Sequence, residues 1–372
     1  MNLFVLSELH PGNNHVGWSV SYSLEETIAA TCDATFIYPL INDKIKLSKG
    51  LEIADSAFLR RYRHRLFKSW FSIDELPKLG KGKNVLLVVG LQPHFLLSMH
   101  ALGEQLNQFD VKIGYILDGF DPRHLDRSVT GHLDHLFVIS SEIADEVNRT
   151  GAVPTSFLPL ATNALKNGSR NSNRWIDIIA YGRGNVDLHR TLQTHFNQQE
   201  GSPQENGRVY FHSTFSKAEV ENQSEHITLL SKMLSRSKIS LCFEASSTPR
   251  FMGYSPILYR WFEAWAAGCT VVGKKPFGKG TAELMDWQNS AIDIPDSPAE
   301  WIPFFEDLLN DSESLALNAQ RNYRECLLRH DWRYRLQDMF NMLDLPLPDK
   351  LGEEIIQLRK KAYESSVPLV HA

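Results

Sequence analysis

Short apolar runs recur along the chain, each followed by a polar loop and then an amphipathic stretch. Asn2–Ser7, Thr35–Tyr38, Asn84–Gly90, Val111–Leu117, His135–Ile139 and Pro154–Leu160 are nearly continuous in apolar residues, the pattern of strands buried on both faces. Helical spacing predicts Ser23–Ala30, Phe95–Leu106 and Ser140–Val147 as helices between them. Strand, loop, helix, strand is the opening of a Rossmann-like domain. The loop after the first strand carries Gly12 and Gly17 but not the three-glycine dinucleotide fingerprint. Ala161–Arg174 is polar and rich in turn formers, and reads as a linker. A second series follows. Its strands are expected at Trp175–Tyr181, Arg208–His212, Ile239–Phe243 and Cys269–Val272, with helices at Val186–Phe196, Thr228–Ser235, Pro298–Leu309 and Leu315–His330. The expectation is an α/β protein of two Rossmann-like domains, 1–165 and 172–335. A tail over 336–372 contains a charged helix at Leu351–Tyr363 and is expected to cross back onto the first domain.

Tyr254–Gly273 is the most informative stretch. Ser255 is a candidate N-cap and Pro256 a candidate first helical residue. Ile257, Trp261 and Trp265 recur every four residues, as do Leu258, Phe262 and Ala266. The other side carries Arg260, Glu263, Ala264 and Ala267, and Gly268 can close the helix. A helix bulky on one face and small on the other packs on both. A carboxylate there needs hydrogen-bond partners. Two remain open for Glu263: Arg260, three residues earlier, and a ligand hydroxyl.

Ligands of open parallel sheets collect beyond the carboxyl ends of strands. That rule places His94 and Asp118 on the functional edge of the first series, and Gly182-Arg183-Gly184 on that of the second.

Composition narrows the classes. A chain of 372 residues is long for one core, and 42% hydrophobic with 22% charged residues is ordinary for a soluble globular protein. A net charge of −5 argues against nucleic acid as the main partner. Cys32, Cys242, Cys269 and Cys326 lie in or beside apolar runs with no metal spacing, as expected of buried reduced thiols in a cytoplasmic protein. The first residues lack the basic start of a signal peptide, and no apolar run approaches the ~20 residues of a membrane span. Phe58–Phe71 is basic and amphipathic, with Leu59, Tyr62, Leu66 and Trp70 on one side and Arg60, Arg61, Arg65 and Lys68 around the rest. It suits a surface helix docked on the first domain, or peripheral contact with an anionic membrane at its inner face.

The second series resembles the C-terminal half of group 1 (family 4-like) glycosyltransferases. The resemblance rests on motifs in order: Tyr181-Gly-Arg183; Leu230–Phe243; Arg260-Trp-Phe-Glu-Ala-Trp-Ala-Ala-Gly-Cys269, similar to the family's E-A-x-A-x-G helix; the strand Thr270–Gly273; Glu283-Leu-Met-Asp; and His330-Asp-Trp-Arg-Tyr-Arg335. Phe137–Glu142 and Leu158–Thr162 add similar elements from the first half. The divergent branch similar to spore-maturation glycosyltransferases is the nearer likeness. The resemblance implies the GT-B fold, two Rossmann-like domains facing a central cleft. The second would bind a nucleotide diphosphate sugar and the first a glycan, lipid-linked or small-molecule acceptor. It implies Glu263 on the ribose hydroxyls and Arg183, with Gly182, at the diphosphate. Arg250, Tyr254, Ser255 and Arg260 are further candidates around the nucleotide sugar, and His94 and Asp118 candidates for sugar contact or proton transfer. No cofactor and no catalytic metal are expected. Two positions depart from the family: Ser255 stands where the first of two glutamates is usual, and Leu188 where a lysine is usual, with His189 or Arg190 as substitutes. The rival expectations are an inactive scaffold of this fold and a sugar epimerase.

Overall fold

A computed structural model of the chain describes residues 1–9, 15–41, 71–182, 184–197, 207–213 and 222–365. Its first sheet has six parallel strands: β1 (Asn2–Ser7), β2 (Thr35–Ile37), β5 (Asn84–Gly90), β6 (Val111–Ile116), β7 (His135–Val138) and β8 (Thr155–Phe157). Their order is β2-β1-β5-β6-β7-β8. β3 (Leu40–Ile41) and β4 (Phe71–Ser72) form a small antiparallel pair apart from it. All seven residues of β5 are buried, because helical layers cover both faces of a parallel sheet. β1 and β6 flank it in register, Asn2–Ser7 beside Asn84–Val89 and Val111–Ile116 beside Val85–Gly90. The helix α1 (Ser19–Thr31) lies on one face, and α2 (Ser141–Thr150), capped by the Ser140 hydroxyl, follows β7.

The second sheet is also parallel, in the order β10-β9-β11-β12-β13. It consists of β9 (Ile176–Tyr181), β10 (Tyr210–Ser213), β11 (Ser237–Phe243), β12 (Thr270–Lys274) and β13 (Ile292–Asp293). α3 (Val186–Leu192), α4 (Gln223–Leu234), α5 (Tyr259–Ala266), α6 (Trp301–Asn310) and α7 (Ser312–Arg329) cover it. After His330 the chain returns to the first layer through α8 (Trp332–Met342) and α9 (Asp349–Glu364). The Trp332 indole donates to Ser23 Oγ of α1 at 3.1 Å, and Arg335 Nε donates to the carbonyl of Pro159 at 2.9 Å. Asp331, fully buried, accepts from the Ala164 amide at 2.7 Å and pairs with the buried Arg333 at 2.8 Å.

Two expectations change. Phe95–Leu106 is not an α-helix; Pro93–Gln108 runs as tight 3-10 turns broken at Gly103, whose φ is +54°. Phe95, Leu96, Leu97 and Met99 are all buried, so the apolar residues crowd adjacent positions instead of one helical face. The helix expected from Ser255 begins at Tyr259, four residues later, and Leu258 precedes it without a side-chain cap. The Ser255 hydroxyl is engaged elsewhere. The two-residue β13 was invisible as an apolar run. Phe58–Trp70 lies outside the described residues, and Phe71 is a buried residue of β4. Among the described residues no helix is long and apolar enough to cross a membrane. The four cysteines are free and buried.

Candidate active site at two sheet edges

The second sheet's edge is built from the end of β9 and from α5. Gly182 follows Tyr181 with φ +67°, and a Cβ there would stand 2.8 Å from Arg260 Nη2. Glycine therefore serves twice: it permits the left-handed turn and makes room for the Arg260 guanidinium. The Tyr181 hydroxyl lies 3.2 Å from both Glu263 Oε2 and the Arg260 carbonyl, with one proton to give. Burial pushes the Glu263 carboxyl up to about 8, against the opposing effects of the Tyr181 hydrogen bond and the Arg260 charge. A hydroxyl donor placed on this carboxylate would favour its ionised form.

α5 is held firmly. Trp261 and Trp265 are fully buried, and the Trp265 indole donates to the Ser290 carbonyl at 2.7 Å. Gly268 closes the turn after α5 with φ +69°. The sequence thus brings Gly182, Arg260 and Glu263 together. Arg183 lies outside the described residues.

Beside this turn is a cavity of about 180 Å³, lined among others by Gly182, His189, Tyr210, His212 and Phe243. His189 Nδ1 is 2.9 Å from the Tyr210 hydroxyl, and its ring is 4.6 Å from that of His212. Burial, and then the neighbouring His189, hold His212 below the usual histidine range. His212 Nδ1 and Ser213 Oγ are buried without a hydrogen-bond partner among the described residues. Leu188 belongs to the core under β9, so the position where a cation is usual is turned inward. Of its two substitutes, His189 faces the cavity. Arg190 is exposed on the other side of α3, 3.9 Å from Asp187.

The first sheet's edge carries acids. Glu8 directly follows β1, and its Oε2 accepts from the Leu91 amide at 2.6 Å. Its Oε1 is 3.6 Å from His94 Nε2, and both side chains are mostly buried, at 17% and 13% exposure. Burial pushes Glu8 up to about 7 despite the Leu91 and Gln92 amides. Glu25 of α1, which accepts from the Ser7 and Tyr38 hydroxyls, is also pushed up to about 7 by burial. Glu8 was not singled out from sequence, and Tyr181 only as the start of the Tyr181-Gly-Arg183 motif. The available signal was position: each ends a strand.

The remaining candidates join the two domains. Arg250 Nε meets Asp118 Oδ2 at 2.7 Å, and the Tyr254 hydroxyl donates to Glu146 of α2. Lys279 Nζ meets Asp145 at 2.6 Å in the same row. Gly119 lies against Phe251 so closely that a Cβ would stand 2.3 Å from its ring. Asp118 and Arg250, assigned from sequence to different steps, are thus one ion pair across the domains. Ser255 Oγ donates to Glu244 Oε2 at 2.9 Å.

The fold agrees with solved glycosyltransferases. TarM aligns with a TM-score of 0.53 at 9% identity, over 92% of this chain and 98% of TarM. HepE of Anabaena, in complex with UDP-glucose, aligns at 0.51 and 9% identity, over 92% and 100%. An alpha-glucosyltransferase bound to UDP-glucose and abasic DNA aligns at 0.51 and 11%, over 92% and 98%. Two parallel sheets with their carboxyl edges brought together define a GT-B fold. Residues 206–341, which include Arg260 and Glu263, match the family described as glycosyl transferase-like. The chain thus has the GT-B fold, and over residues 206–341 it is similar to the glycosyl transferase-like family. Among curated proteins none matches it by sequence.

Proposed function

We propose that the protein transfers a sugar from a UDP-sugar to a hydroxyl acceptor held against the first sheet's edge. The observation that carries this reading is the convergence of Tyr181, Gly182, Arg260 and Glu263 at one strand end. A carboxylate with two oxygens suits the two neighbouring ribose hydroxyls. Arg260 supplies positive charge for the diphosphate, and Arg183, next to Gly182 in sequence, is a further candidate for the same task. In the transfer step the acceptor oxygen bonds to the anomeric carbon and the bond from that carbon to the diphosphate breaks. The acceptor proton passes to His94, whose partner Glu8 stabilises the resulting charge. The departing diphosphate is stabilised by arginine and backbone amides in place of a divalent ion. His212 Nδ1 and Ser213 Oγ, without a hydrogen-bond partner among the described residues, support a polar ligand on that side of the turn.

The test is a binding and hydrolysis screen over UDP- and GDP-sugars. At least one UDP-sugar is expected to bind and to be slowly hydrolysed without acceptor, and Glu263→Ala to lose that binding while folding normally. A protein that binds none of the panel is a scaffold. A sugar inverted without transfer makes it an epimerase.

A further inference from the structure

We propose that Glu244 supplies the carboxylate that binds a hydroxyl of the donor's sugar ring, a role that rests on the transfer reading above. Glu244 is the first residue beyond β11, and its amide donates to the Lys274 carbonyl at 3.1 Å, so its backbone is fixed to the sheet edge. Three donors grip its carboxylate. The Ser246 amide reaches Oε2 at 2.6 Å, Ser255 Oγ reaches Oε2 at 2.9 Å and Ser246 Oγ reaches Oε1 at 2.9 Å. Ser255 is completely buried, and its carbonyl accepts from the Gly278 amide at 2.9 Å, so this donor is itself immobile.

The grip is one-sided. A carboxylate offers about four acceptor sites, two on each oxygen. Oε2 is filled by two donors, whereas Oε1 takes one and keeps a site for another hydroxyl. Glu244 is only half-buried, so solvent and ligand can reach it. Its loop also faces the first domain, since Arg250 and Phe251, six and seven residues on, meet Asp118 and Gly119. The residue before it, Phe243, lines the cavity beside Gly182, which brings Glu244 next to the proposed donor site. A negative group there repels the diphosphate and attracts hydroxyl donors, which singles out the sugar as its ligand. The structure also accounts for Ser255. The chain has no acid at that point of the α5 approach, yet the buried serine holds one brought from the end of the preceding strand.

Calorimetry with UDP and with a panel of UDP-glucose, UDP-galactose and UDP-N-acetylglucosamine separates the possibilities. Glu244→Gln is expected to leave the UDP affinity within twofold and to weaken the preferred UDP-sugar about tenfold, the loss of one charge-assisted hydrogen bond. Ser255→Ala leaves the acid in place but loosens it, and is expected to give a smaller loss in the same sugar-only direction. Thermal midpoints verify that both variants fold. Equal losses for UDP and UDP-sugar, or no loss for either, overturn the role of Glu244 while the transfer reading stands. A wild-type protein that takes up neither UDP nor any sugar nucleotide removes both.

Discussion

The two sheet edges that meet at the cleft are built from opposite chemistry. The second has a glycine turn, a guanidinium and one carboxyl held near neutrality by burial. The first has two buried acids, Glu8 and Glu25, each pushed up to about 7, with His94 beside one of them. Both are carboxyl ends of parallel strands, so topology alone does not distinguish them. The difference lies in which residues stand at each edge, and the proposed function gives each edge its own part. The cationic edge suits a diphosphate leaving group, and the acidic edge suits proton transfer from a neutral acceptor.

Disabling the acidic edge should have the largest effect. His94→Ala is expected to lower kcat roughly 10²–10⁴-fold, the usual range for losing a general base, with donor affinity unchanged. Glu8→Gln should give a smaller loss and shift the pH–rate profile, because it removes a neighbouring charge and keeps the imidazole. Stopped-flow or steady-state assays over pH 5–9 read both. A His94→Ala enzyme of normal kcat would show that the first edge only holds the acceptor.

The cationic edge comes next. Glu263→Ala is expected to weaken UDP binding on the order of tenfold to a hundredfold, the loss of one or two charge-assisted hydrogen bonds. Gly182→Ala should act on the same affinity from the other side, since its Cβ would stand 2.8 Å from Arg260 Nη2 and the turn has φ +67°. Isothermal calorimetry measures both. If Gly182→Ala binds UDP normally, Arg260 is not held against the turn when ligand is present.

Stability against pH offers a third comparison. Glu263 and Glu8 have folded-state values above the 4.5 of a free glutamate, at about 8 and about 7. Between 4.5 and those values the folded chain holds protons that the unfolded chain has released. Stability therefore falls as pH rises through this window and levels off above about 8. Glu263→Gln removes one ionisation and should flatten the upper part of the curve. Its Tm at pH 8 should exceed that of the wild type, with the difference fading towards pH 4.5. If the pH dependence of the unfolding free energy is the same in Glu263→Gln as in the wild type, Glu263 is ionised in the free protein.

The second edge was more legible in the sequence than the first, and the reason is local. Arg260 and Glu263 are one helical turn apart, and Tyr181-Gly-Arg183 is contiguous, so each half of the site is a short pattern. The Glu8–His94 contact joins residues that only the β1–β5 pairing brings together, and neither is unusual alone. Most strands could be placed from their apolar runs, whereas β13 has too few residues to carry a pattern. The start of α5 was misplaced because Ser255-Pro256 has the local chemistry of a helix start. The hydroxyl that would have capped the helix is drawn to Glu244, eleven residues earlier in the chain, a competition that local sequence does not record. Asp118 was recognised as an edge residue and Arg250 as a nucleotide-sugar candidate, but not as partners, since a cross-domain ion pair has no sequence signature.

That ion pair gives the smallest expected effect and tests whether the two edges act independently. At 40% and 23% exposure, Arg250 and Asp118 lie in partly screened surroundings, and their pairing should contribute only about 0–1 kcal/mol to stability. Asp118→Asn keeps the shape and the Gly119 amide contact at 2.8 Å while removing the charge. If Arg250 is committed to holding the domains together, Asp118→Asn and Arg250→Gln should behave alike, and the double variant should add nothing. If Arg250 leaves Asp118 to meet the diphosphate, the two diverge. Asp118→Asn then frees the guanidinium and strengthens UDP binding a few-fold, whereas Arg250→Gln weakens it. A double-mutant cycle on UDP affinity, run at low and high salt, decides between them, because a purely interdomain pair leaves the affinity unmoved at either.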